Sequence, residues 1–167
     1  LKKIMIIGSP GSGKSTLARH LRELLHIPAY HMDYIFWQPG WVPIKRKKLV
    51  EETKKLMEKD TWIIDGNYSA TMDIRLQEAD TIIFLHFSTM RCLYGITKRR
   101  LQYHKQTRPG LAAGCPEKLD WEFFQWVRKF NKRKAPHIYE LLTKYPDKQQ
   151  IIFKNRSQLQ KFLQELN

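Results

Sequence analysis

Short apolar runs alternate along the chain with longer stretches in which apolar residues recur every three or four positions. The runs at 3–7, 28–32, 61–65, 80–87 and 149–154 have the length and β-branched content of buried strands. Helical spacing predicts helices over 14–26, 45–59, 89–105, 117–133, 136–145 and 156–166. Strands that alternate with helices predict βα units around a parallel sheet, hence an α/β fold. Pro28 closes the first helix, Pro39-Gly40 marks a loop, and Pro136 can start a helix but not sit inside one.

The junction between the first strand and the first helix reads Gly8-Ser9-Pro10-Gly11-Ser12-Gly13-Lys14-Ser15-Thr16. This is GxxxxGK[ST], in which a glycine-rich turn wraps backbone N–H groups around phosphate oxygens. Lys14 then reaches the β and γ phosphates, and Ser15 offers its hydroxyl to Mg²⁺. The helix that follows adds the positive end of its dipole. Gly8, Pro10, Gly11, Ser12, Gly13, Lys14, Ser15 and Thr16 are therefore expected to bind the nucleotide.

The 167 residues suit a single domain with one lid region, near 104–135. The segment from Thr107 to Pro116 is rich in Gly, Pro and small residues and reads as the loop of that lid, over the phosphates. No apolar run approaches the roughly 20 residues needed to span a bilayer, so a soluble cytoplasmic protein is expected. Cys92 and Cys115 lack CxxC or Cys/His spacing, which argues against zinc and against a disulfide framework. The formal charge of +14, from 30 Lys plus Arg against 16 Asp plus Glu, predicts attraction to polyanions. Either a phosphate-transferring site ringed by arginines or a DNA-binding surface would account for it.

Asp65 ends the third strand, and Asp33 lies just past the second, so both carboxylates are delivered to the sheet edge where open α/β folds bind ligands. Asp65 suits Mg²⁺, opposite Ser15, while Asp33 suits an acceptor hydroxyl, as a binding group or as the base that takes its proton. Arg75 follows closely enough to return toward an acceptor pocket with its planar fork. His31 is read as a packed or hydrogen-bonded histidine, since one His near one Asp makes no metal site. Phosphoryl transfer needs positive groups around the transferring oxygens; of the basic residues near the lid, Arg99 and Arg108 are the candidates. Arg128 and Arg133 are further lid arginines, on an aromatic-rich helix that reads mainly as core.

With these residues assembled, the chain resembles the adenylate-kinase-like P-loop kinases, most closely the group known as DNA topology modulation proteins. The resemblance rests on GSPGSGKSTLAR, IPAYHMDYIFWQPGW, WIIDGNYSATMDIRLQEADTIIFL and KRRLQYHKQTRPGLAAGCPEKLDWEF. It implies a five-stranded parallel sheet in the order 2-3-1-4-5, flanked by helices, with a lid between strands four and five. Asp65 then matches the acidic residue that follows the third strand in nucleoside monophosphate kinases, and an acceptor-side role is implied for it too. Arg99 matches the second arginine of an RxxxR pair whose first position is here Gly95, and His86 stands where many relatives have aspartate. Asn155, Arg156 and Ser157 follow the last strand, where related kinases hold adenine, so Arg156 is expected at the nucleotide.

The resulting expectation is an ATP- and Mg²⁺-dependent kinase acting on a small acceptor, with nucleotides and nucleosides as candidates. Two alternatives stand beside it: a nucleotide-responsive DNA-binding protein that affects DNA topology, and a simple ATPase.

Overall fold

The computed structural model describes residues 1–104, 106–107, 109, 114–115 and 120–167. Five strands, β1 (Lys3–Gly8), β2 (Ala29–His31), β5 (Trp62–Asp65), β6 (Thr81–Leu85) and β7 (Gln149–Phe153), form one sheet in the order β2-β5-β1-β6-β7. Every pairing is parallel. Counted along the chain within this sheet, the order is 2-3-1-4-5, as the family resemblance implied. Strands β3 (Trp37–Gln38) and β4 (Val42–Pro43) form a separate antiparallel pair that the hydrophobic pattern did not predict.

Successive strand residues point to opposite faces, which divides the core in two. Met5, Ile7, Ile64 and Phe84 pack on one face against α3 (Arg46–Met57), α4 (Ser69–Glu78) and α7 (Ala135–Thr143), through Leu49, Leu76 and Leu142. Ile4, Ile6, Ile63 and Ile83 pack on the other against α1 (Lys14–Leu25) and α5 (Thr89–Gln102), through Leu17, Leu21 and Ile96. The last helix, α8 (Arg156–Leu166), adds Leu159, Phe162 and Leu163 to this second face.

Helix α4 was missed by the sequence reading because its buried side includes Thr71 and Arg75 beside Met72 and Leu76, which blurs the apolar stripe. A short helix, α2 (Met32–Phe36), follows β2 directly. The helix expected over 117–133 is α6 (Trp121–Arg133), capped by Asp120, whose carboxylate accepts from the Phe123 N–H at 2.8 Å. Residues 117–119 lie outside the described set. Of the segment read as a lid, α6 buries Val127 in one core and Phe130 in the other. Among the described residues, no helix is long and apolar enough to cross a membrane.

Candidate functional site

The phosphate loop runs from the end of β1 to the start of α1. Gly13 caps α1 in the left-handed region, φ 95°, which a residue with a Cβ enters only at a cost. Ser12 folds back inside the loop, its hydroxyl donating to the Ser9 carbonyl at 2.6 Å. Lys14 donates from Nζ to the same carbonyl at 3.0 Å, so its ammonium lies over the loop. Asn67 braces the loop from the next strand end: its Nδ2 donates to the Gly8 carbonyl at 2.7 Å, and its Oδ1 accepts from the Gly8 N–H at 3.0 Å. Nothing in the sequence reading assigned Asn67 a role; its place two residues after Asp65, beside β1, was the available signal. Pro10 accepts from the Ser9 hydroxyl, and Thr16 lies exposed at the first turn of α1.

Asp65 and Ser15 meet as expected: the Ser15 hydroxyl donates to Asp65 Oδ1 at 3.3 Å, and Asp65 is buried. The other carboxylate oxygen accepts from His31 Nδ1. Asp33 accepts from the Tyr68 hydroxyl. Burial pulls the Lys14 pKa below its ordinary value, opposed by the charges of Asp33 and Asp65; nearby Arg99 lowers it further. Lys14, Asp33, Asp65 and Arg99 thus share one electrostatic neighbourhood, while the Arg99 guanidinium also lies 5.9 Å from the Phe123 ring centre.

A hard-oxygen pair from Ser15 and Asp65 beside a phosphate loop fits Mg²⁺, which takes its remaining ligands from water and phosphate. Among the described residues there is no cluster of three or more His, Cys, Asp or Glu that would bind a metal by itself. The donor set therefore fits a nucleotide-borne Mg²⁺ rather than a structural metal.

Arg75 is placed differently from the expectation. It is fully buried, and its fork donates to the carbonyls of Gly66 at 2.6 Å, Asn67 at 3.0 Å and Tyr68 at 3.2 Å, with Nε on Thr71. Burial lowers its pKa to about 10. The side chain is 0% exposed and ties down the loop that carries Asp65, Asn67 and Tyr68; about two helical turns from that loop, α4 sends it inward beneath its own N-terminus. Arg108 lies outside the described residues.

Arg156 is exposed at the start of α8 and lines a cavity of ≈ 310 Å³ with Phe87, Ser88, Arg91, Lys154 and Asn155. Arg91, one helical turn before Gly95, was not singled out in the sequence. His86 stacks on Phe84 with ring centres 5.1 Å apart and hydrogen-bonds the Tyr139 hydroxyl at 2.6 Å. Burial, then the Lys154 charge, lowers its pKa.

No family model matches the chain. A shikimate kinase from Paracidovorax citrulli (strain AAC00-1) is 27% identical, over 68% of this chain and 68% of that one. The structure of shikimate kinase from Acinetobacter baumannii in complex with shikimate superposes with a TM-score of 0.66 at 19% identity, covering 99% of this chain and 93% of that one. Shikimate kinase from Bacteroides thetaiotaomicron gives 0.57 at 21% identity, covering 98% and 94%. The chain has the shikimate kinase fold. All three are shikimate kinases by name, and none of them supports the DNA topology modulation group.

Proposed function

We propose that the protein is an ATP-dependent kinase that moves the γ-phosphoryl group to a hydroxyl of a small acceptor. The observation that carries this reading is the pair of carboxylates whose charges both act on Lys14: Asp65 against Ser15, and Asp33 against Tyr68. A nucleotide switch needs the first; phosphoryl transfer to an acceptor gives the second a role as hydroxyl ligand and base. The phosphate loop binds the triphosphate, and Lys14 and Arg99 offset the charge that builds on the transferring oxygens. Ser15 and Asp65 would hold Mg²⁺, which when bound draws charge from the β and γ phosphates. Asp33 binds the acceptor hydroxyl and takes its proton as the new O–P bond forms and the bond from the γ-phosphorus to the β-phosphate oxygen breaks. The Tyr68 hydroxyl holds Asp33 in place for this.

Further parts of the reading rest on the sequence. Residues 1–167 act as one kinase domain, the segment near 104–135 closes over the phosphates with Arg108 among its cations, and Arg156 helps hold the base. Shikimate is the first acceptor to test because the relatives are shikimate kinases. The test is incubation of shikimate, nucleosides, nucleotides and small hydroxy compounds with Mg·ATP, with phosphorylated product detected by mass spectrometry. One acceptor is expected to yield product, and Lys14→Ala to abolish it. ADP release with no phosphorylated acceptor across the panel would leave a simple ATPase.

The charge of +14 favours a second reading, a DNA-binding protein that uses the phosphate loop as a switch. Trp121, Trp126, Arg128, Lys132 and Arg133 are all exposed on α6, so aromatic and basic groups mix on its surface. This reading, and with it the DNA topology modulation resemblance, requires DNA affinity that falls steeply between two salt concentrations. Weak binding even at low salt would remove it.

A further inference from the structure

His31 and Asp65 are register partners in the neighbouring parallel strands β2 and β5. Their side chains therefore leave the same face of the sheet, the face on which α1 packs and presents Ser15. There His31 Nδ1 donates to Asp65 Oδ2, while Asp65 Oδ1 accepts from Ser15 at 3.3 Å. Asp65 is only 2% exposed, so neither oxygen relies on bulk water for its partner. The two bonds fix the plane of the carboxylate and give its oxygens different tasks. Two residues along, Asp33 is gripped in the reverse direction by Tyr68, which follows Asp65 by three. Each of the two strand ends thus supplies one acid and the ring that holds the other's acid.

We propose that His31 is a positioning residue for the metal of the phosphoryl-donor complex, holding Asp65 by one oxygen so that the other is presented beside Ser15. The inference rests on the kinase reading above. An imidazole N–H suits this task because it directs one bond to one carboxylate oxygen and leaves the other oxygen to Ser15 and the metal. A lysine or arginine in its place would compete with the metal for Asp65. Outer partners of this kind change metal affinity about 10- to 100-fold when removed.

The test is an electron paramagnetic resonance titration of Mn²⁺ into the protein saturated with a non-hydrolysable ATP analogue. It uses the wild type, His31→Ala, His31→Asn, Tyr68→Phe and Asp65→Asn, each first checked by thermal unfolding. His31→Ala is expected to weaken Mn²⁺ binding about tenfold. His31→Asn, whose amide restores a donor, should recover most of that loss, and Tyr68→Phe should bind Mn²⁺ like the wild type. A general structural role would give losses in step with stability, affecting Tyr68→Phe as well and leaving His31→Asn unrescued; that result overturns the proposal. Mn²⁺ binding unchanged in His31→Ala but lost in Asp65→Asn overturns the role of His31 alone. Unchanged binding in Asp65→Asn overturns the assignment of the metal to Asp65, on which the proposal depends. If His31→Ala does not fold, His31→Phe, which fills the space without a donor, takes its place in the comparison.

Discussion

Gly95 of α5 lies directly on Gly11 of the phosphate loop: a Cβ at Gly95 would stand 2.1 Å from the Gly11 carbonyl oxygen. From the other side, a Cβ at Gly11 would meet the Cys92 carbonyl oxygen at 2.2 Å. The two glycines let helix and loop touch backbone to backbone, which leaves no room for the arginine that related kinases place at position 95. The departure from the RxxxR pattern therefore has a packing cause. Arg91, one turn earlier, lines a cavity together with Arg156, after the last strand where related kinases hold adenine.

Gly95→Ala should accordingly damage the loop, because the atom it strikes belongs to backbone and cannot swing aside. Overpacking of this kind costs about 1–3 kcal/mol, and Gly95→Arg should cost more and weaken nucleotide binding further. Chemical denaturation measures the first effect and fluorescent-nucleotide titration the second. A Gly95→Ala variant with wild-type stability and nucleotide affinity would contradict the close approach.

Arg75 supports a different expectation from the one its sequence position suggested. Arg75→Met would leave the carbonyls of Gly66, Asn67 and Tyr68 without this donor beneath the Asp65 loop. A buried polar group left unpaired costs about 1–3 kcal/mol, so the variant should lose at least that much stability in urea. Arg75→Lys should rescue little, since one compact ammonium cannot span carbonyls that the planar fork reaches from two separate nitrogens. A variant of unchanged stability whose acceptor KM alone rises would instead return Arg75 to the acceptor pocket.

The strands and the phosphate loop were legible in the sequence because each is written locally, in apolar runs and in GxxxxGK[ST], whereas the order 2-3-1-4-5 came from the family resemblance. Once the order 2-3-1-4-5 is granted, the ends of the second and third strands must be neighbours, so the pairing of His31 with Asp65 was within reach. It was missed because a histidine near one aspartate suggests nothing until its cross-strand partner is considered. The role of Arg75 was hidden for another reason: a buried arginine that serves backbone carbonyls has the same sequence signature as one that serves a ligand. Helix α4 shares this obscurity, since Thr71 and Arg75 occupy buried positions that pattern reading assigns to apolar residues.

Asp33 and Tyr68 should separate chemistry from folding. Asp33→Asn keeps the size of the side chain but removes the base, and general-base contributions are about 10²- to 10⁴-fold. The expected result is a kcat reduced within that range at nearly unchanged thermal stability, measured with the acceptor that the product panel identifies. Tyr68→Phe should lower kcat less, because the carboxylate remains and only its aim is lost. Equal losses in both variants would show that the hydrogen bond, rather than the carboxylate, matters most.

Lys14 links activity and stability to pH with opposite signs. Burial lowers its pKa below the ordinary 10.5, while phosphate binding requires the protonated ammonium. As pH rises through the lowered value, the native free enzyme loses this proton before the unfolded chain does, so kcat/KM should fall in a window below 10.5. Between the lowered value and 10.5, the unfolded chain binds more protons at this site than the native one, so the contribution of Lys14 to stability rises with pH. Below that window both states are protonated and the contribution is flat. Comparing wild type with Lys14→Met isolates the effect: the difference in unfolding free energy should shift toward the wild type as pH rises through the window. A pH-independent difference between the two proteins, or an alkaline limb of kcat/KM that begins only above 10.5, would contradict the burial of the charged amine.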